Sequence, residues 1–158
     1  MGTMDLFSPN KGQLFDEVRQ LWVTATPEEQ VRQRVLNKMI HRLSFPKDLL
    51  VVEKELKTLP HLSVCPPPNR RLDILCYAKD IHPVHPLYPL LLIECKEQKL
   101  DEQAIEQLTG YNAYVQACFI AVASREEERF GYLDKDKMKY IFHPGLPSYK
   151  DLIRWVKP

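Results

Sequence analysis

The sequence predicts an α/β fold: one globular unit built on a central mixed β-sheet of about four or five strands, with helices on both sides. Three observations lead there. Four short apolar runs, Leu50 to Thr58, Leu72 to Ala78, Pro89 to Lys96 and Cys118 to Ser124, are bounded by proline, asparagine or charged clusters, as strands are. A strongly capped amphipathic helix precedes them. A second helical segment lies between the third and fourth runs, and that order of strand, helix and strand implies a parallel pair joined by a crossover. A length of 158 residues suits a single core, and 44% hydrophobic with 27% charged residues excludes a disordered or fibrous chain.

At the N-terminus, Leu14, Phe15, Val18, Leu21 and Trp22 recur at three- and four-residue steps. This spacing predicts a short amphipathic helix in an arm, residues 1–25, ahead of a globular domain at 26–158. Thr26-Pro27-Glu28-Glu29 then supplies an N-cap threonine, a proline at the first helical position and a glutamate at the third, which is a capping box. Val31, Val35, Met39 and Leu43 share one stripe, so a helix is expected over 27–43, ended by Phe45-Pro46. The prolines of CPPPN (65–69) and IHPVHPLYP (81–89) mark loops between strands. Ile105, Leu108, Tyr111, Asn112 and Val115 define the helix at 101–115. Weaker strands are expected at Gly131 to Leu133 and Lys139 to Phe142, an exposed turn or hairpin in SREEERFGYLDKDK, and a last helix at Tyr149 to Val156.

Composition excludes several classes of function. The longest apolar segment, Pro86 to Ile93, is far too short to span a bilayer, and MGTMDLFSPNKGQ has neither a secretory hydrophobic region nor a myristoylation pattern, so a cytoplasmic location without membrane attachment is expected. Cys65, Cys76, Cys95 and Cys118 are dispersed, which favours reduced structural thiols over zinc. His82 and His85 lie in a proline-rich loop with no third ligand nearby and read as solvated. There is no Gly-rich phosphate loop and no nucleophile elbow. The net charge of +1 gives no global field for nucleic acid, and the basic stripe Arg34, Lys38, His41 and Arg42 reads as a solvated helix face before a phosphate track.

Chemistry concentrates in two strands. In RRLDILCYA, Leu72, Ile74, Cys76 and Ala78 make one apolar face while Leu75 and Tyr77 make the other, and Asp73 shares the Leu75 face. An ionised carboxylate buried there without a partner costs several kcal/mol, about the net stability of a domain, so something must compensate it. Arg71 on the same face is one candidate. A divalent cation shared with a second carboxylate is the other, and PLLLIECKEQ supplies that carboxylate at Glu94. On adjacent strands the two acids would meet across about 4.8 Å. Lys96, one pleat beyond Glu94, would then stand beside the metal, where an ammonium orients water or offsets phosphorane charge, and the Cys95 carbonyl is a further candidate ligand.

These segments resemble the PD-(D/E)XK phosphodiesterase superfamily, in particular the N-terminal nuclease domain of type I restriction enzyme R subunits and their small stand-alone relatives. The matching stretches are LFDEVRQLWVTATPEEQVRQ, RRLDILCYA, PLLLIECKEQ, EQLTGYNAYV and LPSY, in the family order. The resemblance implies a restriction-endonuclease-like sheet and Mg²⁺- or Mn²⁺-dependent hydrolysis of DNA. Asp73 and Glu94 would bind metal, with Lys96 acting on water or the transition state. Gln107 and Tyr111, a Q-x-x-x-Y pair on one helical face, would border the site. An acidic residue of the first core helix would assist the metal shell: Glu29, with Glu28 as the other candidate, and a capping role explains Glu29 equally. Leu72 stands where the superfamily name has proline, and SREEERFGYL replaces a Thr-Asn-Gly turn common in the family. Motor domains are absent, so ATP-driven translocation is not expected of this chain, and a protein partner or a second copy is expected to help hold DNA.

Overall fold

The computed structural model describes residues 11–59 and 70–157. The CPPPN segment and Cys65 lie outside the described residues.

A two-stranded hairpin, β1 (Gln13–Asp16) and β2 (Leu21–Thr24), opens the described chain. This corrects the helix expected from the spacing of Leu14 to Trp22. Two local features override that spacing. The Asp16 carboxylate accepts the backbone N–H groups of Val18 and Arg19 at 2.8 and 2.7 Å, closing an Asx-type turn, and Gln20 takes a left-handed φ of 58°. The aromatic and β-branched run LWVT then favours a strand, with Trp22 paired opposite Phe15, their rings edge to face at 5.2 Å.

Helix α1 (Pro27–His41) begins as the capping box predicts, with the Thr26 hydroxyl accepting the Glu29 N–H at 3.1 Å, and ends two residues earlier than expected. A six-stranded sheet follows, in the spatial order β3 (Leu50–Glu55), β4 (Arg71–Lys79), β5 (Leu87–Cys95), β6 (Phe119–Ala123), β7 (Glu128–Asp134) and β8 (Lys139–Pro144). Both weaker strands are therefore full members, which raises the count above the four or five expected. The first run ends as a strand at Glu55 and continues as a 3₁₀ turn, Leu56–Thr58. Among the described residues only the β5–β6 pair is parallel, bridged by helix α2 (Glu102–Val115), as the strand, helix, strand order requires.

Two cores sandwich the sheet. Val31, Val35, Leu36 and Met39 of α1, with Leu152 of the last helix α3 (Tyr149–Val156), pack on Ile74, Cys76, Leu91 and Ile93. Ala104, Leu108, Tyr111 and Val115 of α2 cover Leu75, Leu92, Ile120 and Val122 on the other face. Leu72 belongs to the α2 side with Leu75 rather than to the Ile74 side, so the alternation of β4 breaks at Asp73. Cys76, Cys95 and Cys118 are free thiols. No helix among the described residues is long and apolar enough to cross a membrane.

Candidate active site

The break at Asp73 is where the strands part. The β3–β4 ladder pairs Val52 with Ile74 and Lys54 with Leu72 but skips Glu53 and Asp73, and Glu53 holds a left-handed φ of 55°. A non-glycine residue in that region is strained and persists where its surroundings demand it. On the other side the β4–β5 ladder stops at Ile74 and Ile93. Asp73 Oδ2 then accepts the Cys95 N–H at 2.8 Å, so a side chain replaces the backbone partner that the ladder has given up. Asp73 is thereby fixed at a fork in the sheet, with α1 on one side and α2 on the other.

Arg32 compensates Asp73. Its guanidinium, 3% exposed, donates to Asp73 Oδ1 at 2.7 Å, Glu53 Oε1 at 2.8 Å and Glu29 Oε2 at 2.5 Å. Burial opposes the Arg32 cation, but its hydrogen bond to Asp73 and the charges of Asp73, Glu29 and Glu53 outweigh burial and raise its pKa. Arg71, the candidate named from sequence, instead faces outward, 3.6 Å from Glu53 and 3.4 Å from Glu55. The network continues into the hairpin: Arg19 bridges Glu29 Oε1 at 2.7 Å and the fully buried Asp16 at 2.8 Å. An unbroken alternation of acid and base thus runs from Asp16 through Arg19, Glu29 and Arg32 to Asp73.

Glu94 is buried near the end of β5, one residue before Cys95 closes the strand. Burial first, and then the neighbouring Asp73 charge, hold its carboxyl well above the usual carboxylate range. Burial and Asp73 also raise Glu28, so Glu28 and Glu94 each feel the Asp73 charge. The backbone N–H of Lys96 continues the parallel ladder to Ala123 at 2.8 Å, and its ammonium donates to Gln107 Oε1 of α2 at 2.9 Å. Tyr111, one turn on, is buried beneath the Arg70 guanidinium at 4.4 Å, and its pKa is raised by burial and by the charges of Glu94 and Asp73. The Cys95 thiol is pushed up by burial and stays protonated, and the residue's contact with Asp73 is through its N–H.

Among the described residues, three buried side-chain polar atoms have no hydrogen-bond partner: Arg32 Nε, Glu94 Oε1 and Tyr111 Oη. All three belong to residues grouped around Asp73. Buried polar atoms are nearly always satisfied, and a concentration of exceptions marks a place shaped for something other than the fold itself. Two of the three, Glu94 Oε1 and Tyr111 Oη, are oxygens, and a carboxylate oxygen such as Glu94 Oε1 suits a hard cation. Among the described residues no three His, Cys, Asp or Glu groups form a complete cage, so such an ion would use Asp73 and Glu94 and complete its shell from water and substrate, as Mg²⁺ commonly does.

The structure therefore brings Asp73, Glu94, Lys96, Gln107 and Tyr111 to one fork, with Glu28 and Glu29 beside it through α1. Sequence reasoning missed Arg32 and Glu53. Arg32 had a signal, because it lies one turn before the buried Leu36 on a sheet-facing part of α1. Glu53 had none, since only its backbone conformation turns it to Arg32. His82 makes a loop structure of its own, its Nδ1 accepting the N–H groups of Val84 and His85, each at 3.1 Å.

A family described as the type I restriction enzyme R protein N terminus matches residues 27–147, from the first residue of α1 to just before α3. The chain belongs to that family. No curated protein and no solved structure matches it.

Proposed function

We propose that the chain is a metal-dependent nuclease of the PD-(D/E)XK type, with a restriction-endonuclease-like sheet, hydrolysing DNA phosphodiester bonds at the Asp73 fork. The observation that carries this reading is the unpartnered buried carboxylate oxygen of Glu94 next to the Asp73 charge. Asp73 and Glu94 would hold Mg²⁺ or Mn²⁺, with the Cys95 carbonyl as a further ligand. When bound, the ion would supply Lewis-acid polarisation of the phosphoryl group and a more acidic water. The remaining roles fall to the chain. Lys96, steadied by Gln107, orients the attacking water and offsets negative charge as the phosphorus becomes five-coordinate. Glu29 keeps Arg32, and through it Asp73, in place, while Tyr111, close enough to feel the Glu94 and Asp73 charges, walls the site.

A second reading draws on one observation: the Arg32 guanidinium already neutralises Asp73. On that account the domain binds nucleic acid, or regulates a partner that does, without turnover. The readings separate when purified protein is incubated with labelled single- and double-stranded DNA in Mg²⁺, Mn²⁺ or EDTA, beside Asp73→Asn, Glu94→Gln and Lys96→Met. The nuclease reading expects metal-dependent cleavage that falls by about 10²-fold or more in each variant. Cleavage that survives in Asp73→Asn, or binding with no turnover in any metal, overturns it.

A further inference from the structure

A larger opening lies away from the carboxylates. A groove of about 1240 Å³ runs between the hairpin, one side of α1 and the turn joining β6 to β7. Five cations line it, Lys11, Arg34, Lys38, Arg42 and Arg125, against the carboxylates Glu126, Glu127 and Glu128. Two of those acids are engaged: Glu128 by Lys38 at 2.7 Å and Glu127 by Arg129 at 3.1 Å. Arg34 gives one N–H to the Ser124 carbonyl at 2.7 Å, and a guanidinium has others to offer. Lys11, Arg42 and Arg125 are exposed and form no ion pair among the described residues. The charge left over in the groove is thus positive in a molecule whose net charge is only +1.

Helix geometry spaces that charge. Arg34, Lys38 and Arg42 follow one another every four residues, about 6 Å along the axis, a step comparable to that between consecutive phosphates of an extended strand. Phe15, packed edge to face with Trp22 at 5.2 Å, also lines the groove. A cationic rail and an aromatic ring in one groove is the arrangement that receives single-stranded nucleic acid, with phosphates on the rail and a base stacked on the ring.

The groove also adjoins a second opening, whose lining lies next in sequence to residues of the fork. A smaller cavity of about 330 Å³ is lined by Pro27, Glu97, Gln98 and Lys99, and shares Ser124, Arg125 and Glu126 with the groove. Pro27 opens α1 immediately before Glu28 and Glu29, and Glu97 follows Lys96. Arg125 therefore borders both openings.

We propose that a single nucleic-acid strand engaged at the Asp73 fork passes over Arg125 and lies along α1 in this groove, its phosphates on Arg125, Arg34 and Arg42 and a base on Phe15. The path rests on the nuclease reading for its starting point, but its binding energy is separable from cleavage. The test measures fluorescence anisotropy of labelled single strands from about four to about sixteen nucleotides, and of duplexes of matching length, in EDTA over a range of salt. Wild type is compared with the triple variant Arg34→Gln, Arg42→Gln, Arg125→Gln, with unchanged far-UV circular dichroism as the folding control. The expected result is affinity that climbs with strand length in wild type and not in the triple variant. The salt slope should flatten by about 0.7 for each phosphate that the variant no longer neutralises, hence about two in all. Equal length dependence and slope in both proteins, no binding by wild type, or tighter binding of duplex than of single strand would each overturn the path. Metal-dependent cleavage alongside that failure leaves the nuclease reading standing, whereas arginine-dependent binding without cleavage keeps the groove and removes the nuclease.

Discussion

Arg32 is the residue on which the fork depends, because among the described residues it is the one cation touching Asp73, Glu29 and Glu53 together. Replacing it by alanine leaves Asp73 and Glu29, both largely shielded from water, facing each other without that cation. Removing one partner of a buried ion pair typically costs about 3–5 kcal/mol, and that loss is expected for Arg32→Ala by chemical denaturation at neutral pH. Arg32→Lys should fall between alanine and wild type, since an ammonium keeps the charge but not the planar fork that reaches several carboxylates at once. A destabilisation under about 1 kcal/mol for Arg32→Ala would mean that the acids find another partner. At this scale the sequence was informative about the chemistry and blind to its counter-charge. Asp73 is conspicuous because aspartate is out of place in a doubly covered strand. Its true partner lies 41 residues away on a helix, a separation that periodicity cannot bridge.

The hairpin is the element most in need of an anchor, since an isolated two-stranded ribbon is marginal in water. Asp16 provides that anchor. It is fully buried and accepts from Val18 N–H, Arg19 N–H, the Arg19 side chain and Gln33 of α1. Burial works to raise its pKa, but these hydrogen bonds and the Arg19 charge prevail and lower it. Asp16→Ala should therefore release β1 and β2 while leaving the six-stranded sheet intact. Hydrogen exchange would show protection lost at residues 13–24 and kept in β4, β5 and β6, and uniform loss across the sheet would contradict a purely local anchor. The mistaken helix here and the correct one at Thr26 teach the same lesson. A capping box encodes its own hydrogen bonds locally, so α1 could be read to its first residue, whereas five apolar residues at helical steps are also compatible with alternation across a turn. The deciding interactions, Asp16 with its own turn and Phe15 with Trp22, are pairings that a one-dimensional pattern does not carry.

For the molecule as a whole, both faces of the sheet are covered, so the fork is the place where charge enters the interior and where stability couples to pH. The layered α/β order was legible because buried parallel strands leave unbroken apolar runs such as PLLLI, while β7 and the edge strand β8, both partly exposed, left only fragments. Glu94 sets the sign of the pH dependence. Its folded-state pKa lies well above the ordinary 4.5, raised by burial and then by Asp73, so the folded chain holds the proton that the unfolded chain releases. Below about pH 4 both states are protonated and Glu94 costs nothing. As pH rises past 4.5 the unfolded state ionises first, and stability falls until the folded pKa is passed, after which the loss is constant. Glu94→Gln, which cannot ionise, should therefore raise the melting temperature at neutral pH and leave it unchanged at acid pH. Divalent cation should raise the melting temperature of wild type at neutral pH more than that of Glu94→Gln, because it would bind the ionised Glu94 carboxylate in place of the proton, a ligand the amide cannot supply as a charge. Melting curves across the acid-to-neutral range, with and without Mg²⁺, decide this. A Glu94→Gln protein that is less stable than wild type at neutral pH would show that the carboxylate is already satisfied within the fold and is not waiting for a cation.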